Sequence, residues 1–122
     1  MPKKILVVDD SANVREQVRM ALNHSGFQVV EAVDGMDGKA VLDRRNDISL
    51  VICDVHMPEM GGIAMLEALR SQPQHSDLPV VMLTTEGQPA SILRARKAGA
   101  DGWIIKPFRA DFLVATIHKL TA

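Results

Sequence analysis

The chain carries one cysteine in 122 residues, no tyrosine, one tryptophan and three phenylalanines. An internal disulfide is excluded, which fits a reducing cytoplasm. Cys53, at the end of the apolar run Leu50-Val51-Ile52-Cys53, reads as inert core packing. An excess of one charge is also missing: 14 Lys and Arg stand against 15 Asp and Glu, a formal net charge of −1. A chain that lives on nucleic acid usually has a strong basic excess, so no nucleic-acid partner is expected. No apolar run approaches the roughly 20 residues that span a membrane. The start, Met-Pro-Lys-Lys, leads straight into a short apolar run, without the longer apolar region and cleavage site of a signal peptide. No His/Cys cluster has metal spacing, which argues against zinc. Repeats, low-complexity tracts and linkers are absent, and the length predicts one domain over 1–122.

What is present alternates. Ile5-Leu6-Val7-Val8 reads as a strand, and Ser11 as the N-cap of a helix that buries Val14, Val18, Ala21 and Leu22 and ends near Gly26. Gln28 to Ala32 is a second strand; Met36 to Arg45 is a second helix carrying Ala40, Val41 and Met36 inward. A third strand over 50–53 precedes a helix marked by Ile63, Leu66 and Leu69 and stopped before Pro73. Pro79 to Leu83 is the fourth strand. Pro89 suits the first turn of a fourth helix with Ile92, Leu93 and Ala98 inward, closed by Gly99. Trp103-Ile104-Ile105 is the fifth strand, and Leu113, Ile117 and Leu120 give the last helix its buried stripe.

Five strand–helix units with near-continuous apolar strands predict an α/β, doubly wound, flavodoxin-like parallel sheet of five strands, covered on both faces by five helices. The expected strand order is 2-1-3-4-5, with sites at the carboxyl ends of the strands. There stand Asp9-Asp10 after the first strand, Asp54 after the third, Thr84-Thr85 after the fourth and Lys106-Pro107 after the fifth. Two unit charges about 4 Å apart repel by roughly 4 kcal/mol at an effective dielectric near 20, so three clustered carboxylates call for a cation. All-oxygen ligation points to Mg²⁺. A carboxylate can itself be a nucleophile and form an acyl phosphate, whose oxygens a hydroxyl and a lysine then bind.

Asp9-Asp10, the run Asp54-Val55-His56-Met57-Pro58-Glu59-Met60-Gly61-Gly62, Thr84 and Lys106-Pro107-Phe108, in this order and spacing, resemble the response-regulator receiver domains of two-component systems. The resemblance covers essentially the whole chain and is similar in plan to the family's single-domain chemotaxis type. It implies that Asp54 accepts a phosphoryl group from the phosphohistidine of a histidine kinase or phosphotransfer protein. It further implies that Asp10, Asp54 and the backbone carbonyl of His56 ligate Mg²⁺, with Asp9 acting through water. Lys106 would pair with the phosphoryl group, the Thr84 hydroxyl would move to it, and Trp103 would take the place of an aromatic switch. The Lys106-Pro107 bond is expected to be cis. The resemblance implies that the chain catalyses only its own phosphorylation and dephosphorylation, so no enzyme in the ordinary sense is expected.

Three positions depart from the family pattern. His56 stands where the family is variable, Thr85 where a small residue is commoner, and Trp103 where Tyr or Phe is usual. With Glu86 beside them, His56 and Thr85 are candidate modulators of the phosphorylated lifetime. The chain stops soon after the fifth helix, so the signal is expected to pass by contact of the helix 4–strand 5–helix 5 face with a protein target. The chain is expected to be a monomer, with an activation-dependent dimer as the alternative. The cations Arg94, Arg96, Lys97, Arg109 and Lys119 read first as solvated, and otherwise as a docking set for an acidic partner. Lys39, Arg44 and Arg45 read as a solvated face, Met57 and Met60 as filler, Phe112 and Val114 as core edge. Gly62 reads as backbone freedom at the start of the third helix. The competing enzyme class, a haloacid-dehalogenase-like small phosphatase, wants its nucleophile in Asp-x-Asp after the first strand, where this chain has adjacent aspartates. A flavin carrier wants a Ser/Thr/Gly-rich phosphate loop after the first strand and stacking aromatics, and this sequence has neither.

Overall fold

The computed structural model describes residues 2–122. Strands β1 (Lys4–Val8), β2 (Gln28–Ala32), β3 (Ile48–Cys53), β4 (Val80–Thr84) and β5 (Gly102–Ile105) alternate with helices α1 (Ala12–Asn23), α2 (Gly35–Arg44), α3 (Gly62–Arg70), α4 (Pro89–Lys97) and α5 (Ala110–Thr121). A 3₁₀ turn, Pro73–His75, lies between α3 and β4. All strand pairs are parallel, in the order β2-β1-β3-β4-β5. This is the doubly wound order read from the sequence.

Successive residues of a strand point to opposite faces, and the two cores sort accordingly. Leu6, Val8, Val51, Cys53, Val80 and Met82 meet α2, α3 and Ala95 of α4 on one face. Ile5, Val7, Leu50, Ile52, Val81, Leu83 and Ile104 meet α1 and α5 on the other, through Val18, Leu22, Leu113 and Ile117. Cys53 is fully buried, its thiol pushed up to about 12 by burial and then by the nearby charges of Asp54 and Asp9. Ser11 Oγ accepts from the Val14 N–H, and Asp34 caps α2 through the Asp37 N–H. Gly26 and Gly99 close α1 and α4 with positive φ.

Four inward readings are corrected. Ala40 and Met36 face solvent; α2 presses Gly35, Gly38, Val41 and Leu42 inward instead. A Cβ on Gly38 would lie 2.9 Å from Val8 Cγ2, so glycine permits the helix to approach β1. Leu93 is half exposed, because α4 touches the sheet through the small Ala95. Phe112, read as core edge, is the most exposed of the large apolar side chains among the described residues.

Candidate functional site

Register puts the site together. Val8 pairs with Cys53, so Asp9 and Asp54, one residue further on, leave the sheet side by side, and the Asp54 N–H donates to the Val8 carbonyl. Thr84 pairs with Ile105, and the Lys106 N–H donates to the Thr84 carbonyl. One carboxylate oxygen from each of Asp9, Asp10 and Asp54 lies within 4.8 Å of the other two. Lys106 Nζ reaches in from β5 and donates to Asp9 Oδ2 and Asp54 Oδ2, each at 2.8 Å. The Lys106-Pro107 bond is cis.

The carboxylates are not equivalent. Burial pushes the Asp9 carboxyl above its ordinary range, and Lys106 and the Ser11 N–H offset this only in part. Burial opposes charge on Asp54 too, but there Lys106, the Thr84 hydroxyl and the His56 N–H together hold the carboxyl below its ordinary range. Burial likewise opposes charge on Lys106, and its hydrogen bonds to the two carboxylates outweigh that, so its ammonium is held above the usual range. The carboxylate of Asp10 is exposed and accepts no hydrogen bond from the described residues. An oxygen-only donor set with one uncommitted carboxylate fits a hard divalent cation that keeps several waters. A single ammonium shared between two of three carboxylates leaves the cluster one positive charge or more short.

Beyond Thr84 the partners converge on Glu86. Thr84 is fully buried, and its Oγ1 accepts from the Glu86 N–H at 3.1 Å. The Glu86 carbonyl accepts from Trp103 Nε1 at 3.0 Å. Its carboxylate accepts from the Gln88 N–H and from Ser91 Oγ at the start of α4, and lies 3.1 Å from His56 Nε2. The Gln88 N–H foremost, with His56 and Ser91, keeps the Glu86 carboxyl low against the opposing effect of burial. Trp103 is half buried against the core, whereas Thr85 points to solvent and touches none of these groups by hydrogen bond. The sequence singled out Glu86 without its reach; two residues past Thr84 is the only signal, because two of its contacts, His56 and Trp103, come from segments far from it in the chain. Arg15 was not singled out at all, yet its Nη1 donates to the Asp9 carbonyl at 2.6 Å. Gly62 was read for backbone freedom, but the reason is space: a Cβ there would lie 2.0 Å from the Asp54 carbonyl oxygen.

A five-stranded 2-1-3-4-5 sheet with carboxylates, hydroxyl and lysine on the carboxyl rim defines a receiver class of signalling protein. Residues 5–118 match the family model of the response regulator receiver domain, and the chain belongs to that family. It is similar to a chemotaxis protein CheY homolog of Campylobacter jejuni, 37% identical over 111 residues that cover 90% of this chain and 85% of the relative. Chemotaxis protein CheY1 of Helicobacter pylori is 38% identical over 111 residues, 90% of each chain. Among solved structures, chemotaxis response regulator CheY4 of Vibrio cholerae superposes with a TM-score of 0.91 at 35% identity, covering 98% of this chain and 99% of that one. The chain is thus a CheY-like component of two-component signalling. No helix among the described residues is long and apolar enough to cross a membrane.

Proposed function

We propose that the chain is a phosphorylation switch in which Asp54 takes a phosphoryl group from the phosphohistidine of a histidine kinase or phosphotransfer protein. The observation that carries this is Lys106 Nζ at 2.8 Å from both Asp54 and Asp9, with the uncommitted Asp10 carboxylate in the same cluster. A charged Asp54 oxygen attacks phosphorus, the P–N bond breaks, and the imidazole leaves as its nitrogen regains a proton from solvent. In the product the phosphoryl group stands on Asp54, and Lys106 and Thr84 donate to its oxygens. Asp10, Asp54 and the His56 carbonyl would hold Mg²⁺, with Asp9 acting through water. The ion, when bound, neutralises charge on the transferring group. His56, Thr85 and Glu86 border the path of the water that later breaks the P–O bond, and modulate the lifetime.

The readout is contact with a protein target in the cytoplasm, by residues 1–122 acting as one receiver unit and a monomer. Trp103, Ile105, Phe108 and Phe112 line a shallow depression of about 300 Å³ on the β5–α5 face, and Ile105 and Phe112 are half exposed or more. That apolar surface, with Arg109 in its lining, supports docking there. Incubation with acetyl phosphate should give an acid-labile, Mg²⁺-dependent phosphoryl group on wild type and none on Asp54→Asn. Full incorporation in the mutant would move the acceptor elsewhere.

A further inference from the structure

Two of the three clustered carboxylates are braced by side chains or amides. Asp9 is held by Lys106 and the Ser11 N–H, Asp54 by Lys106 and the His56 N–H. Asp10 has no such brace among the described residues, so only its backbone aims it. That backbone is fixed at the peptide before it. The Asp9 N–H donates to the Ala32 carbonyl on β2 at 3.1 Å, and the Asp9 carbonyl accepts from Arg15 Nη1 at 2.6 Å.

Arg15 is itself clamped. Its Nε donates to Glu31 Oε1 on β2 at 3.0 Å, and its side chain is 15% exposed. The other Glu31 oxygen lies 3.5 Å from Arg19 Nε. The plain reading of Arg15 is one more ion pair tying α1 to β2. Two features go further. The shortest contact is to a neutral carbonyl one peptide from a candidate metal ligand, not to the carboxylate. A lone guanidinium so near would also repel a divalent cation, and Glu31 cancels that charge. The pair therefore delivers a hydrogen bond to the Asp9–Asp10 peptide at no net charge.

We propose that Arg15, held by Glu31, is a positioning residue for the cation site: it fixes the Asp9–Asp10 peptide so that the Asp10 carboxylate meets Mg²⁺ already aimed. This rests on the metal-assisted reading of the site given above. Groups that orient ligands without touching the metal are worth about 10- to 100-fold in affinity where the metal is tightly bound. Arg15 acts through backbone on one ligand of a site that keeps waters, so the low end applies.

The test is the Mg²⁺ concentration at half-saturation, read from the metal-dependent rise in melting temperature and from backbone amide shifts. Arg15→Gln/Glu31→Gln conserves net charge and removes the contact; its half-saturation should rise about tenfold. Phosphorylation by acetyl phosphate should slow at low Mg²⁺ and recover when Mg²⁺ saturates. Arg19→Gln, which disturbs the same ion-pair network without touching the Asp9 carbonyl, should stay within about twofold because it leaves the hydrogen bond from Arg15 to the Asp9–Asp10 peptide in place. Arg15→Lys keeps the charge but not the planar fork, and should show a smaller rise in the same direction; it carries the test if the double variant does not fold. A wild-type half-saturation in the double variant or in Arg15→Lys overturns the proposal. So does an equal loss in Arg19→Gln, which would make the effect one of the network. Wild type indifferent to Mg²⁺ would instead defeat the metal-site reading, and this proposal with it.

Discussion

On the β1–β3 half of the rim, Asp9 and Asp54 are almost wholly buried and bonded across two strands by one ammonium. Past Thr84, on the β4–α4–β5 half, Thr85, Gly87, Gln88, Pro89 and Ala90 are all exposed. There α4 buries Ala95 alone, β5 buries Ile104 alone, and the Trp103 indole donates one hydrogen bond to Glu86. Few buried apolar contacts and an exposed backbone mark the segments that open at low free energy. The contrast separates two jobs: chemistry needs ligands that do not move, and a switch needs an element with two nearly equal arrangements.

Glycine substitutions should break that contrast most sharply. Gly62→Ala places a methyl against the Asp54 carbonyl at 2.0 Å and Met82 Cε at 2.9 Å, and backbone cannot give way as a side chain can. We expect a loss of about 3 kcal/mol or more in urea unfolding. Gly87→Ala meets nothing nearer than Ile105 Cδ1 at 3.8 Å. It should be neutral or stabilise by up to about 1 kcal/mol, by restricting the unfolded chain. Equal losses at both positions would mean that the two halves are equally rigid.

Lys106→Met should come next. It strands two buried carboxylates beside each other, which costs about 3 kcal/mol when a buried partner is removed. Added Mg²⁺ should recover part of that loss, because it supplies the missing positive charge. Wild type should also gain, by about 2.7 kcal/mol at a hundredfold excess over the dissociation constant, and Asp10→Ala should lose most of that gain. A Lys106→Met protein that melts like wild type without Mg²⁺ would show that the ammonium does not brace this half.

What the strands carry was legible in the sequence and what the helix faces and side-chain partners add was not, for a physical reason. Parallel strands announce themselves as apolar runs, and register then carries Asp9, Asp54, Thr84 and Lys106 to one rim without further information. Helix faces are chosen by closest approach, and hydropathy overlooks the small residues that permit it. Gly38 and Ala95 face inward, whereas the more hydrophobic Met36 and Leu93 face out. Glu86 gathers bonds from Thr84, His56, Gln88, Ser91 and Trp103. The contacts with His56 and Trp103 exist only in three dimensions. Arg15 was hidden for the same reason, since a basic residue early in a helix gives no sign that it bonds a neutral carbonyl.

The smallest expected effect, and the one that tests whether the loose half listens to the braced one, lies at Trp103. A phosphoryl group on Asp54 adds charge and strong acceptor oxygens close to Thr84. The Thr84 hydroxyl accepts from the Glu86 N–H, and the Glu86 carbonyl accepts from Trp103 Nε1. A pull on Thr84 therefore reaches the indole through one residue, and loosens Gln88 and Ser91 at the start of α4 on the way because the Glu86 side chain holds both. Tryptophan is bulkier than the family's usual aromatic, and overpacking typically costs 1–3 kcal/mol, so its burial on activation should stay incomplete. Couplings of this kind are worth about 1–3 kcal/mol, and one that rests on two hydrogen bonds belongs near the bottom of that range. Trp103 is the only tryptophan, so its emission reports this position alone. Beryllofluoride with Mg²⁺ should change its intensity or its accessibility to a quencher in wild type, and much less in Thr84→Ala, where the first bond of the chain is cut. Glu86→Ala keeps the backbone bonds but frees α4, and should leave the tryptophan response while weakening any partner contact made by α4. The same response in wild type and Thr84→Ala would mean that the indole answers the phosphoryl charge directly, and that Thr84 is no part of the path.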